Sequence, residues 1–448
     1  MKILLNQTPL LTDLYQLTML QGYFDHGLDE LADFEFFVRD LPDVRNFLLA
    51  AGLEQVLEYL ENLKFTSSEL EWLSSQNRFN KSFIDYLENL RFEGDVHAMP
   101  EGTVFFPDEP IIRVSAPIAQ AQLVETRIIN ILHFQTMIAS KAIRSVISAA
   151  GKLLVDFGLR RAHGAEAGLL AARSSYLAGF SGTSTVLAGK LFNIPLYGTM
   201  AHSFIQAHDE EKSAFKNFAL SQPDNVILLI DTYDMLEATD KVIQLAKDLK
   251  DLNIRIQAVR LDSGDLIKNS KKIRQILDEE GLEEIKIFAS GNLDEYSLKR
   301  FADSKAPIDG YGIGTLMITS ADSPYLECGY KLVQYAGSPR YKQSPRKATW
   351  PCRKQVYRYY NKDEKFEYDE LTLDNETRKE QSLLQQVMKN GKRIQPEKSL
   401  EQIREYVDQQ IQKLPPDLLR LEKAANYTVR ISKNLQQYAE NIQTNSKE

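Results

Sequence analysis

Between about residues 150 and 335, short apolar runs alternate with stretches of helical periodicity, and no other feature constrains the fold as strongly. The runs are Leu153-Leu154-Val155, Pro195-Leu196-Tyr197, Val226 to Ile230, Ile256 to Val259, Ile285 to Phe288 and Ile308 to Ile313. A βα unit repeated along a chain builds a parallel sheet or a βα barrel, because each helix carries the chain back across a sheet face. About six units are clear, one or two short of a regular eightfold barrel. The expected fold class is therefore α/β, with an irregular βα (TIM-like) barrel over 146–335.

Each run is followed by polar residues. They are Arg160 and Arg161; Thr199 and His202; Asp231 and Asp234; Arg260, Asp262 and Asp265; Ser290 and Asn292; and Gly314 and Thr315. In βα barrels the active site lies at the C-terminal ends of the strands. A histidine just past a strand, at the mouth of a helix, can meet a ligand while the scaffold holds it. His202 occupies that position in Gly198-Thr199-Met200-Ala201-His202-Ser203-Phe204, although a capping or surface role would look the same in isolation. In Val259-Arg260-Leu261-Asp262-Ser263-Gly264-Asp265 a guanidinium lies beside two carboxylates. Arginine can fork onto a carboxylate or phosphate, and aspartate can take a ribose hydroxyl or Mg²⁺; a purely structural pair is equally open. Gly312-Ile313-Gly314-Thr315 offers backbone N–H groups to a phosphate, or merely a tight turn. Phe157 with Arg160 and Arg161 would stack on a planar ring and hold anions, or form a core ring with two surface cations. Together they suit a doubly anionic sugar phosphate and a flat aromatic partner.

Before this zone, residues 1–145 read as an α+β unit. Thr12 and Asp13 stand as a helix N-cap, residues 32–39 as a half-buried strand, 46–63 and 68–90 as helices, and 94–118 as short strands broken by prolines. A long helix follows from about 119. After it, residues 336–448 open on the basic loop Arg340 to Lys347, continue with two strand-like segments and end in a charged helical tail. This last zone is expected to pack on the first, completing an α+β sandwich. The net charge of −8 argues against a nucleic-acid partner. Cys328 and Cys352 alone allow neither a disulfide framework nor a cysteine zinc site. No apolar run is long enough for a membrane span or a signal peptide, so the expected location is the cytoplasm.

Six segments resemble nicotinate phosphoribosyltransferases, in that family's order and at compatible spacing. They are Leu10-Leu11-Thr12-Asp13-Leu14-Tyr15-Gln16, Phe157 to Arg161, Gly198 to Phe204, Asp231-Thr232-Tyr233, Val259 to Asp265 and Gly312 to Thr315. The resemblance covers nearly the whole chain and implies a reaction. Nicotinate, 5-phosphoribosyl-1-diphosphate, ATP and water would give nicotinate mononucleotide, diphosphate, ADP and phosphate, an entry step of NAD salvage. It implies Mg²⁺ alongside ATP and phosphoribosyl diphosphate, and a homodimer with shared active sites. His202 matches the family's phosphorylated histidine, and the resemblance also makes Asp262 a catalytic candidate within the anionic and ribosyl network. Tyr15 and Phe157 match an aromatic sandwich around the pyridine ring, the tyrosine coming from the partner subunit. Arg160, Thr199 and Arg260 match nicotinate contacts. Arg161, Asp262, Ser290, Asn292, Gly314 and Thr315 match the phosphoribosyl-diphosphate site.

In nicotinamide-using relatives an aspartate stands where this chain has Ser184, so its absence favours nicotinate as the base. One departure is Trp350-Pro351-Cys352, where relatives carry Pro-Gly: if that glycine has φ > 0, Cys352 is expected to alter the turn. Rival readings are a nicotinamide or quinolinate phosphoribosyltransferase, and a non-catalytic binding or regulatory homologue. The last would be expected to lack a site residue, and His202, Arg260 and Asp262 are all present.

Overall fold

The computed structural model describes residues 8–342 and 349–445; Gln343 to Lys347 of the basic loop lie outside them. The chain divides into two compact units, one of residues 1–140 with 323–448 and one of residues 141–322.

The second unit is built on a parallel sheet whose strands we number β1 (Leu153–Asp156), β2 (Gly182–Thr183), β3 (Val226–Leu229), β4 (Ile256–Leu261), β5 (Lys286–Ala289) and β6 (Gly310–Ile313). Their order is β2-β1-β6-β5-β4-β3, so the first strand pairs with the last and every other neighbour is consecutive. The result is a mixed α/β unit with a parallel half-barrel sheet. Near-continuous apolar runs are what strands covered on both faces require, and Val155, Leu228, Leu229, Val259, Ile287 and Ile313 are fully buried. Pro195 to Tyr197 is not a full strand: a single parallel bridge joins Leu196 to Thr183. The pairing passes instead to β2, two residues inside Ser181 to Thr185, which carry no apolar run to announce a strand.

Helices follow the strand ends, and their caps account for part of the polar clustering. Asp234 accepts from the N–H groups of Leu236 and Glu237 at the start of helix Met235–Leu249. Asp265 accepts from Lys268 ahead of Leu266–Glu279, and Asp294 from Ser297 ahead of Glu295–Asp303. Each satisfies amides that a helix start leaves without partners. Asp234 and Asp265 are thus helix caps, and of the two carboxylates read beside Arg260 one serves the backbone.

The first unit holds a seven-stranded antiparallel sheet. In spatial order its strands are Ser338–Pro339, Cys328–Tyr335, Leu31–Val38, Ile112–Pro117, Asp95–Ala98, Gln385–Lys389 and Lys392–Arg393. Because Cys328–Tyr335 pairs with Leu31–Val38, the division between the units falls after Asp322 and not at 335. The alternation over residues 32–39 predicts a half-buried strand, but in Leu31–Val38 every residue after Leu31 is buried. Its charged residues have internal partners. Glu35 accepts from the amide of Lys354 at 2.9 Å and pairs with its ammonium at 2.8 Å, while Asp33 accepts from Ser115.

Two helical expectations shorten here. Residues 46–52 contain strand Leu48–Leu49, and Gly52 at φ 104° starts helix Leu53–Glu61. Residues 68–90 hold two helices, Ser67–Ser75 and Lys81–Asn89, parted where Asn77 turns left-handed and Asn80 caps. Asp13 does precede helix Leu14–Asp25, yet its side chain makes no cap and instead accepts from Thr126.

A second sheet of the same unit orders Gln381–Ser382, Lys354–Tyr360, Phe366–Leu373 and Val429–Ile431. Within it Arg358, fully buried, forks onto its cross-strand partner Asp369 (Nε–Oδ1 2.9 Å, Nη2–Oδ2 2.6 Å) and lies 4.2 Å from the centroid of Phe366. Cys352 itself adopts φ 65°, in the left-handed region that favours glycine. Among the described residues no helix is long and apolar enough to cross a membrane.

Candidate active site

The C-terminal ends of the parallel strands open into a cavity of about 690 Å³. Phe157, Arg160, Arg161, Ser184, Thr199, Arg260, Asp262, Ser290, Asn292, Gly314 and Thr315 all line it. Ten candidate site residues from the sequence, together with Ser184, therefore meet in one place. Tyr15, half-exposed on the first helix of the other unit, and His202 are not in the lining.

The Phe157 ring is placed by backbone. β1 ends at Asp156, and Phe157 N–H donates to Ile313 O at 2.8 Å. A Cβ on Gly312 would stand 2.5 Å from the ring's Cε2, and one on Gly314 would stand 3.0 Å from the Phe157 carbonyl oxygen. The two glycines of Gly312-Ile313-Gly314-Thr315 are required because an aromatic ring and its carbonyl press on the strand end. For Gly312 this is the seat of a ring, not a phosphate cradle. Phe288 supports the ring from 6.0 Å at a 45° tilt.

Arg160 and Arg161 follow on the short turn Leu159–Arg161 and are exposed, free to meet an anion. Arg260, on β4, is held more firmly. Its Nη1 donates to Thr199 Oγ1 at 2.6 Å and to Met200 O at 3.1 Å, and its Nη2 stands 3.7 Å from Asp262 Oδ1. Burial lowers its basicity while Asp262 and Asp231 offset the loss, and a guanidinium so placed stays charged. Its Nε is buried with no hydrogen-bond partner among the described residues. Three guanidinium groups against the single carboxylate of Asp262 make this an anion site.

Asp262 is tied on several sides. Its amide donates to Asp231 Oδ2 at 2.8 Å, and Ser263 Oγ donates to the same oxygen at 2.7 Å. Ser290 donates a short hydrogen bond to Asp262 Oδ1. Gly291, at φ 96°, passes so close that a Cβ there would collide with the Asp262 carbonyl. Asn292 is left-handed too, at φ 51°. Asp262 Oδ2 faces His202 Nε2 across 3.9 Å, so the histidine adjoins a residue of the lining. On its other side His202 Nδ1 is 3.0 Å from Thr232 Oγ1. Thr232 lies in the segment Asp231-Thr232-Tyr233, whose local sequence carries no mark of a partner thirty residues earlier.

Three family models match along the chain in order. They describe the nicotinate phosphoribosyltransferase N-terminal domain over residues 10–133, the nicotinate phosphoribosyltransferase family over 153–342, and the C-terminal domain over 377–439. A nicotinate phosphoribosyltransferase of Mycobacterium tuberculosis is 46% identical over 430 residues, covering 94% of this chain and 91% of that protein. The chain belongs to the nicotinate phosphoribosyltransferase family. Another nicotinate phosphoribosyltransferase, of Bacillus subtilis, is 42% identical over 358 residues, with 78% and 73% covered. The crystal structure of human nicotinic acid phosphoribosyltransferase matches with a TM-score of 0.87 at 29% identity, over 96% of this chain and 99% of that one. Members of the nicotinate phosphoribosyltransferase family are enzymes by name, and the cavity described above lies within the stretch matched by the family model.

Proposed function

We propose that this chain transfers the phosphoribosyl group of 5-phosphoribosyl-1-diphosphate to nicotinate, with ATP hydrolysis coupled through His202. The observation that carries the reading is the cavity itself: an aromatic platform seated on glycine, with three guanidinium groups around it and one carboxylate. Phe157 would stack on the pyridine ring, with Tyr15 as the opposite face supplied by a partner subunit of a homodimer. Thr199, Arg260 and Arg160 would hold the nicotinate carboxylate. Ser184 places no negative charge at the cavity wall, which suits a carboxylate-bearing base. Arg161, Ser290, Asn292, Gly314, Thr315 and Asp262 would receive the ribosyl diphosphate. The half-barrel sheet would be an irregular βα barrel with its seam beside Gly198, whose carbonyl accepts from Asn225 at 3.0 Å. The C-terminal segment would complete an α+β sandwich with the N-terminal one, and the enzyme would work in the cytoplasm.

In the transfer, the nicotinate ring nitrogen attacks ribose C1 as the bond from C1 to the diphosphate oxygen breaks and diphosphate departs. The chain contributes orientation and charge: ring and ribose held in line, with guanidinium groups near the leaving oxygens. In the coupled step, a carboxylate facing Nε2 favours the tautomer with its proton there. Nδ1 then carries the lone pair, and Thr232 donates to it at rest. That nitrogen attacks the terminal phosphorus of ATP, ADP leaves, and water later releases phosphate and restores the imidazole.

Mg²⁺ fits as a substrate-borne ion. Among the described residues no group of three or more His, Cys, Asp or Glu could hold a metal alone. Mg²⁺ commonly binds through one or two carboxylates plus phosphate oxygens and water. Asp231, whose buried Oδ1 has no hydrogen-bond partner among the described residues, and Asp262 are the carboxylates that would meet it. Bound there, it would offset the charge of the departing diphosphate.

The test is product formation by the purified chain from phosphoribosyl diphosphate and Mg²⁺, with nicotinate or nicotinamide, each with and without ATP. The expected outcome is nicotinate mononucleotide from nicotinate, increased by ATP. In His202→Ala some uncoupled transfer survives and ATP adds nothing. Preference for nicotinamide, or unchanged ATP dependence in His202→Ala, would sink the base assignment or the phosphohistidine respectively.

A further inference from the structure

Directly beneath the Phe157 platform lies a charged residue that neither the anion site nor the coupled step uses. Asp156, the last residue of β1, is fully buried. Its Oδ1 accepts from Gly158 N–H at 2.8 Å, and its Oδ2 accepts from Thr183 Oγ1 at 2.7 Å. Thr183 Oγ1 in turn accepts from Thr185 N–H at 3.0 Å. Main-chain bonds run the same way: Ser184 N–H donates to Asp156 O at 2.8 Å, and Asp156 pairs with Thr183 across β1 and β2. One carboxylate thus grips the segment after Phe157 with one oxygen and the segment around Ser184 with the other. Phe157 and Ser184 both line the cavity.

We infer that Asp156 is a positioning residue for the base: its carboxylate sets the separation between the Phe157 platform and the Ser184 wall. The inference rests on the reading of this cavity as a nicotinate site.

Two physical arguments carry it. The first concerns acceptors. Asp156 meets two donors, one from each segment, and an ionised carboxylate is the side chain that accepts at both oxygens. Asparagine would satisfy Gly158 but turn an N–H toward Thr183. That hydroxyl oxygen already takes Thr185 N–H, so the hydroxyl proton would be left without an acceptor. The second concerns cost. Both partners of Asp156 are uncharged, and burial pushes its carboxyl up to about 6 against the pull of those two hydrogen bonds. Holding a charge in such a place works against the fold. A group kept at a cost to stability and joined to two walls of a site is explained by what it positions. The local steric fit agrees, since a Cβ on Gly158 would stand 3.0 Å from Asp156 Oδ1 and 2.7 Å from Ile318 Cδ1.

The experiment compares Asp156→Asn, Thr183→Val and Thr183→Ser with the wild-type chain, measuring KM for nicotinate and for phosphoribosyl diphosphate, kcat, and the thermal midpoint at pH 7.5. Asp156→Asn and Thr183→Val are expected to raise the nicotinate KM about tenfold, since a sub-ångström loosening of a stacked ring is enough to do so. The KM for phosphoribosyl diphosphate should move less than about threefold, because most of its contacts come from other strand ends. Thr183→Ser keeps the hydroxyl and should restore the wild-type nicotinate KM. The thermal midpoint of Asp156→Asn should not fall. An unchanged nicotinate KM in both disruptive variants overturns the inference, and so does an equal rise in both KM values with a lowered midpoint. If Asp156→Asn does not fold, Thr183→Val decides in the same way. A wild-type chain that makes no nicotinate mononucleotide refutes the underlying reading of the cavity, and that result is distinguishable from either of the others.

Discussion

Gly312→Ala puts the role of Phe157 to a sharp test. The added methyl would stand 2.5 Å from Phe157 Cε2, whereas carbon atoms rest about 3.5–4.0 Å apart. The ring must therefore retreat by roughly 1 Å. Its backbone cannot follow, because Phe157 N–H is bonded to Ile313 O and Gly158 N–H to Asp156. Phe288 stands to one side of the ring, so the motion left is a swing toward the open cavity, where nicotinate would lie. Gly312 is not among the glycines with positive φ, so alanine suits the backbone and the steric effect stands alone. A displacement near 1 Å at a stacking surface should raise the nicotinate KM by about 10- to 100-fold. Crowding of this size should cost about 1–3 kcal/mol of stability.

The assay is steady-state kinetics with nicotinate varied at saturating phosphoribosyl diphosphate, beside denaturant unfolding of the same preparation. A double-mutant cycle with Phe157→Leu sharpens it, since the smaller side chain leaves room for the methyl and the two effects should not add. A Gly312→Ala enzyme that loses the expected stability yet keeps its nicotinate KM within twofold would refute the assignment of Phe157 as the platform.

Three other outcomes are expected. Gly291→Ala, whose methyl would collide with the Asp262 carbonyl at a position already at φ 96°, should raise the KM for phosphoribosyl diphosphate well above that for nicotinate; equal effects on both would argue that this turn serves the whole fold. Arg358→Met should cost about 3–5 kcal/mol in denaturant unfolding, because it strands Asp369 in a fully buried site; a loss below 1 kcal/mol would mean that the pair is dispensable. For Asp156, the folded-state carboxyl is raised from 3.8 to about 6, so the native state holds a proton that the unfolded chain has lost between those values. Its contribution to stability is present below about pH 4, declines as pH rises through 6 and is gone above about 7, a total near 3 kcal/mol. The wild-type minus Asp156→Asn stability difference should fall by that order between pH 4 and 7, and a flat difference would show that Asp156 does not titrate there.

How far the sequence was legible depended on the range of the signal. Strands β1, β3, β4, β5 and β6 each carry a run of apolar residues, a local pattern that burial on both faces demands. The two-residue strand β2 carries none, because Gly182 and Thr183 are there for what approaches them: a Cβ on Gly182 would stand 2.6 Å from the Tyr197 ring. Leu31–Val38 looked half-exposed because Asp33 and Glu35 break its apolar face, and only their distant partners Ser115 and Lys354 explain their burial. The same limit applied at the site. Residues at strand ends could be gathered by topology, and ten of them share the cavity. Which aspartates face a ligand could not be read, since Asp234 and Asp265 also stand just after strands and turn out to cap helices. Thr232 and Asp156 act through contacts that no local pattern encodes.

The division of labour around the cavity follows from how each part is held. On the base side the restraints are close packing and buried hydrogen bonds: Phe157 directly follows β1, presses on Gly312 and Gly314, and its neighbour Asp156 is tied to Thr183. On the anion side Arg160 and Arg161 are exposed on a three-residue turn, and long side chains adjust by rotamer at little cost. Arg260 lies between these regimes, fixed at Nη1 by Thr199 and Met200 yet holding a buried Nε that has no hydrogen-bond partner among the described residues. Such a site should discriminate strictly among planar bases and tolerate variation in the phosphate-bearing substrate. Arg161→Lys, which keeps the charge but loses the fork, should therefore weaken phosphoribosyl diphosphate by no more than about tenfold. Glycine replacements under the ring, which push it into the cavity, should penalise larger pyridines more heavily than nicotinate. If Arg161→Lys proved the more damaging change, rigidity would have to be sought on the anion side, and the glycine seat of Phe157 would be a packing solution with no bearing on selectivity.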